Sequence, residues 1–154
     1  MAEIRISFLL NDLVREMNSQ ADGLLRKNFR ITYSQFVFLL CSGDNEDVDV
    51  TRLALALGVT KGAVSKRLGW FVNRNFVATH QLEGDAKRVL ISLTKDGAAL
   101  AEAAGTFLEK EFLQVISNSP GLDQDLLRTE LGKMLSVLIR KNEVGPRVSN
   151  IALS

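Results

Sequence analysis

The sequence predicts a mainly α-helical chain with a small β-hairpin wing: a winged helix-turn-helix, extended at both ends by further helices. Three observations carry that reading. Residues 51–75 hold two short helical patterns that meet at Gly58. From Phe76 the apolar period changes from 3.6 to 2, and after Thr94 it changes back. Helix, tight turn, helix, hairpin, helix is the layout of that module.

Each element has a local reason. Over residues 4–27 the positions Ile6, Leu9, Leu10, Leu13, Val14, Met17, Ala21, Leu24 and Leu25 form one helical stripe, with Arg5, Asp12, Arg15, Glu16 and Asp22 mostly off it. Thr32 suits the N-cap of a second helix, Tyr33 to Cys41, which is apolar nearly all round and is expected to be the buried spine. Gly43 and an acidic loop, Asp44–Asp49, end it. A short helix follows from about Thr51 to Leu57, and Gly58 supplies the sharp turn because glycine accepts positive φ. Thr60 caps the next helix, whose inward residues are expected to be Val64, Leu68, Phe71 and Val72. Asn75 closes it, asparagine being second to glycine at a left-handed C-terminal position.

Phe76–Leu82 and Val89–Leu93 read as two strands, with Val89, Ile91 and Leu93 on one face and Glu83–Lys87 as the turn. Thr94 starts a long helix reaching about Ser117. Ser119-Pro120-Gly121 breaks it, and Asp123 falls in the first turn of a last helix carrying Leu126, Leu127, Leu131, Met134, Leu135, Leu138 and Ile139. A polar tail with Gly145-Pro146 completes the chain.

Composition bounds the class. With 154 residues, 46% hydrophobic and 24% charged, the chain is one globular domain rather than two. We divide it into a winged lobe over 31–97, dimerisation helices over 1–30 and 98–142, and a tail over 143–154. The single Cys41 excludes an intramolecular disulfide and reads as a small core residue. The longest apolar run, Phe36 to Cys41, is too short to span a bilayer, and no signal-like N-terminus precedes it, so a cytoplasmic protein without a membrane partner is expected. No phosphate-cradling loop, Cys–His pairing or metal-ligand spacing appears, and the one histidine, His80, lies in a wing strand. An enzyme, a cofactor and a metal are therefore not expected. A small winged module has no room to bury the apolar faces of the first and last two helices, so both chain ends are read as a homodimer interface.

Charge is distributed unevenly. Residues 52–95 hold eight basic groups against two acids, a local +6 within a chain of net +1. Such a basic middle between acidic ends fits a surface aimed at a polyanion. On the helix capped by Thr60, the outward face carries Gly62, Ser65, Lys66, Gly69 and Asn73, flanked by Lys61 and Trp70. Small and cationic residues suit entry into a groove of limited width, Lys66 reaching a phosphate or guanine edge and Ser65 a base or phosphate. At the wing, Lys87 and Arg88 follow Asp85, and strand alternation sends only one of the two toward a minor groove. The candidate DNA-binding set is Thr60, Lys61, Gly62, Ala63, Ser65, Lys66, Arg67, Asp85, Lys87 and Arg88.

The same residues carry a resemblance. The pattern Leu53 to Lys61 (L-A-x-x-L-G-V-T-K), Val64-Ser65, and the aspartate-led wing ending in Leu93-Thr94-Lys95-Asp96-Gly97 resemble the MarR family of bacterial regulators. The flanking helices agree in number, so the likeness spans nearly the whole chain. It implies a homodimer that binds a palindromic double-stranded operator, usually as a repressor, and lets go when a small aromatic or phenolic effector enters beside the dimer helices. Tyr33, Arg15 and Trp70 are the polar or aromatic candidates for that pocket. Some members sense oxidants through a first-helix cysteine; Cys41 lies in the second helix, where an apolar setting keeps a thiol inert. Four positions depart from the family pattern. Lys87 stands where arginine is usual, Gly62 and Ala63 where hydroxyl residues are common, and Asn75 where glycine is. Lysine lacks the planar fork of arginine, which shifts weight toward Arg88. The competing reading is a winged-helix module that binds another protein without operator specificity, favoured by the glycine and alanine on the recognition face.

Overall fold

The apolar run Phe36–Cys41 becomes the centre of the molecule. The computed structural model describes residues 3–43 and 48–141. In chain order the elements are α1 (Ile6–Phe29), α2 (Tyr33–Ser42), β1 (Val48–Asp49), α3 (Val50–Leu57), α4 (Lys61–Asn73), β2 (Val77–Leu82), β3 (Asp85–Leu93), α5 (Lys95–Ser117) and α6 (Gln124–Lys141). On α2, Phe36 and every residue from Phe38 to Ser42 are buried. Phe38 stacks on Phe71 of α4 with ring centroids 4.0 Å apart, and Leu25, Leu53, Val64, Val77 and Ile91 close around the pair.

The caps are those the sequence names. The Thr32 hydroxyl accepts the Gln35 N–H while the Gln35 side chain accepts the Thr32 N–H, a reciprocal capping box. Thr60 accepts from Ala63 N–H and Thr94 from Gly97 N–H. Gly58 and Asn75 both take the left-handed conformation, at φ 64° and 58°.

Several boundaries differ from expectation, each for a physical reason. Helix α1 runs two residues later at its end, to Phe29, and Arg30 closes it at φ 57°. Asp49 is not loop: its carboxylate accepts the Arg52 N–H and so caps α3, which starts at Val50. Val48 and Asp49 also pair antiparallel with Ile91 and Leu90, so the wing sheet has three strands in the order β1-β3-β2. Strand β3 starts at Asp85, four residues before the expected Val89, and the turn shrinks to Glu83-Gly84, with Gly84 at φ 88°. Val72 is 39% exposed, because it lies about 80° around α4 from Val64 whereas Leu68 and Phe71 stay within about 40°. Asp123 precedes α6 and caps it by accepting the Leu126 N–H. The expected loop residues 44–47 and the tail 143–154 with Gly145-Pro146 lie outside the described residues.

The two chain ends leave apolar surface uncovered. Ile6, Phe8, Leu9, Leu13 and Val14 of α1 are each at least half exposed. On α6 no described side chain is buried, and Leu126, Leu131, Met134 and Leu138 face solvent.

Candidate nucleic-acid interface

Burial of Val64 and Phe71 fixes the rotation of α4, and that rotation puts Lys61, Gly62, Ser65, Lys66, Gly69 and Asn73 on its exposed side. Thr60, at the N-cap, is exposed as well, while Ala63 is half-buried at the edge of the face. The glycines leave open space: a Cβ at Gly69 would meet nothing within 4 Å, and one at Gly62 only the Thr60 hydroxyl at 3.9 Å. Among the described residues neither glycine is required by packing or by a positive φ.

Arg67 departs from the face. Its guanidinium donates to the Ser34 hydroxyl at 3.0 Å, linking α4 to the first turn of α2. Trp70 is also held inward, packed on Phe71 and Phe76 with the Arg74 guanidinium 4.1 Å above its ring. Ser34 was missed in the sequence because a hydroxyl in a helix first turn has no signal beyond capping.

The wing separates its two cations. Successive residues of β3 point to opposite faces. Arg88 donates through Nε to the Asp49 carboxylate at 3.0 Å, across the β1–β3 pairing. Lys87 is exposed and has no ion pair among the described residues. The Asp85 carboxylate accepts the Lys87 backbone N–H at 3.2 Å, which stiffens the tip. Asp49 is thus a double acceptor. The Arg52 N–H first, and the Arg88 guanidinium after it, hold its carboxyl below the ordinary aspartate range against the opposing effect of burial.

The wing root is pinned to α5. Phe76 O accepts the Thr94 N–H, the Thr94 hydroxyl donates to Asn75 O, and the Asn75 side chain donates to Asp96 at 3.0 Å. Gly97 packs so closely that a Cβ would stand 1.9 Å from Phe76 O.

A cavity of about 580 Å³ lies between α1, α2 and α5, away from the α4 face. Tyr33 lines it, as the sequence proposed; Arg15 and Trp70 do not. Burial raises the Tyr33 phenol above its usual pKa, so it stays a neutral O–H donor. Cys41 is 2% exposed in the core, and His80 is exposed on β2. Among the described residues no group of acidic, histidine and cysteine side chains is arranged to hold a metal, and no helix is long and apolar enough to cross a membrane.

No protein-family model matches the chain. It is 33% identical over 144 residues to the organic hydroperoxide resistance transcriptional regulator of Bacillus subtilis (strain 168), covering 91% of this chain and 93% of that protein. The structure resembles that of Staphylococcus aureus MepR in its DNA complex, with a TM-score of 0.67 and 27% identity over 88% of this chain and 99% of MepR. Apo MarR from E. coli shares the fold at a TM-score of 0.77 and 22% identity, again over 88% of this chain and 99% of the other. These are transcription regulators rather than enzymes. With the expected helices, the hairpin wing and a one-third-identical regulator matched along nearly its whole length, the chain belongs to the MarR family of winged helix-turn-helix transcriptional regulators.

Proposed function

We propose that the chain is a homodimeric, sequence-specific DNA-binding repressor that leaves a palindromic operator when a small molecule occupies the cavity beside α1 and α5. The observation that carries the DNA reading is the exposed face of α4, where Ser65 and Lys66 stand between two glycines that nothing in the chain requires. Glycine costs roughly 1 kcal/mol against alanine in a helix interior, so two on an open face fit close approach to a groove wall. Ser65 and Lys66 then meet base edges or phosphates, with Thr60, Lys61, Gly62 and Ala63 at the helix entry. Lys87 enters the minor groove from the wing, supported by Asp85. Arg67 and Arg88 position α4 and β3 through Ser34 and Asp49.

The division of the chain follows. Residues 31–97 form the reading lobe, and the exposed apolar stripes of α1 and α6 form the dimer contact that sets half-site spacing. The described chain without a transmembrane helix fits a cytoplasmic regulator.

The test is selection of bound sequences from random duplexes at two salt concentrations. A recovered palindrome, bound with an affinity that falls steeply with salt, is the expected result. Salt-insensitive or absent binding by an intact dimer would leave the protein-interaction reading in its place.

A further inference from the structure

The cavity between α1, α2 and α5 has a lining with one sign of charge. Glu16 of α1 and Glu109 and Glu111 of α5 contribute carboxylates, and among the described residues no lysine, arginine or histidine lines it. Glu16 is paired with Arg15 at 3.5 Å, whereas Glu109 and Glu111 have no ion pair among the described residues. The other walls are apolar and aromatic, with the neutral amides of Asn18, Gln20, Gln114 and Asn118 among them. Tyr33, Phe36 and Phe112 lie along them, Tyr33 and Phe36 with ring centroids 6.4 Å apart. Aromatic faces attract a cation through the ring quadrupole, and do so more strongly where water is excluded. A volume of about 580 Å³ is that of a drug-sized site, too large for a metal ion or a simple amine alone.

We propose that this cavity selects lipophilic organic cations, bulky aromatic molecules with a delocalised or quaternary positive charge, and rejects anions of the same shape. The proposal rests on the reading of the cavity as the effector site, and it narrows the aromatic or phenolic effector expected from the sequence. A neutral phenol meets the aromatic walls and the amides without gaining from the carboxylates, while a phenolate or carboxylate faces Glu109 and Glu111 with no cation among the described lining residues to receive it. An anionic ligand would also have to be desolvated against like charge.

Tetraphenylphosphonium and tetraphenylborate form a matched pair of probes, nearly equal in shape and opposite in charge. Each is titrated by calorimetry into the full-length wild-type protein and into the Glu109→Gln/Glu111→Gln variant, with folding checked by circular dichroism. The expected result is binding of the phosphonium about tenfold or more tighter than the borate in wild type, and a preference reduced to near parity in the variant. A Phe112→Ala variant should weaken the phosphonium without inverting the preference. Equal or tighter binding of the borate overturns the proposal. So does a preference unchanged in the double variant, which would place the cation elsewhere on the surface. Absence of binding by either ion also overturns it, and would assign the groove to protein, such as a helix of the second copy. Fluorescence anisotropy of labelled operator, read in parallel, separates the two claims: selective cation binding that leaves DNA affinity unchanged supports the charge selectivity and defeats effector release.

Discussion

Arg88 follows Lys87 in the chain, yet a pleated strand turns the two side chains to opposite faces and gives them different work. Arg88 is held by Asp49, and Lys87 is available to a ligand. Lys87→Ala is therefore expected to weaken operator binding about tenfold and to lower the salt slope by about 1, measured by anisotropy across a salt series. Arg88→Ala should change DNA affinity less than Lys87→Ala; the reverse order would show that Arg88 leaves Asp49 to reach DNA. The stability cost of losing Arg88 is small, below about 1 kcal/mol, because its side chain is half exposed. Asp49 carries more, since Asp49→Ala removes a helix cap worth about 1 kcal/mol as well as the anchor of Arg88. The sign with pH follows from its lowered pKa. A carboxyl held below its unfolded value near 3.9 stabilises the fold above that pH, and the contribution is lost as pH falls through the lower folded value. The stability gap between wild type and Asp49→Ala in urea titrations should thus be full at pH 7 and close below about pH 4. A gap constant with pH would assign the effect to packing rather than charge.

At the scale of elements, local signals that repeat every turn or every second residue were legible, and pairings across the chain were not. The phase of α4 could be read from Val64, Leu68 and Phe71, and the caps at Thr32, Thr60 and Thr94 from residue type alone. Strand β1 was illegible because two residues have no period, and Asp49 reads as one more acid after Asp44, Glu46 and Asp47. The start of β3 was placed late because Asp85, Lys87 and Arg88 are charged on both faces and Ala86 is too small to mark one of them as apolar. The same limit hid the partners of Arg67 and Arg88, which lie 33 and 39 residues away. The exposed glycines of α4 offer a test at this scale. Gly69→Ala should stabilise the free protein by up to about 1 kcal/mol, seen as a higher urea midpoint, while weakening operator binding. A stabilised variant with unaltered DNA affinity would mean that the face does not closely approach its partner. Gly97→Ala should do the opposite to the fold. A Cβ 1.9 Å from Phe76 O has to push backbone against backbone, and a loss of roughly 3 kcal/mol or more is expected in the same titration.

At the scale of the molecule, α6 has the sequence of a packed helix and the surroundings of a solvated one. Leu126, Leu131, Met134 and Leu138 are exposed, and so are the N-terminal apolar residues of α1. In the proposed homodimer a second copy covers both and removes this surface from water. Leu131→Glu with Met134→Glu is expected to convert the proposed dimer to monomer in sedimentation equilibrium and to weaken operator binding at least about a hundredfold, since one half-site is then lost. A variant that stays dimeric would relocate the interface. Cys41, buried on α2, is expected to take no part in oxidant sensing, although the relative at 33% identity is named for organic hydroperoxide resistance. Cys41→Ser should leave any response of DNA binding to hydroperoxide unaltered; loss of such a response would overturn a purely structural role.

The joint at Gly97 has a mechanical consequence. With no side chain between α5 and the Asn75–Phe76 corner, and with Thr94 and Asp96 bonded across it, the contact has no slack in which to slide. Helix α5 is 23 residues long, about 34 Å, and passes the cavity on its way to the far end of the molecule. It therefore behaves as a lever whose fulcrum lies under the wing. A tilt of ~5° displaces its far end by ~3 Å, and the corner that carries α4 and the wing must turn through the same angle. In the proposed dimer two such levers, one in each subunit, would change the distance between the recognition helices while each reading surface stayed intact, so operator spacing rather than base preference is the quantity that an occupant of the cavity would alter.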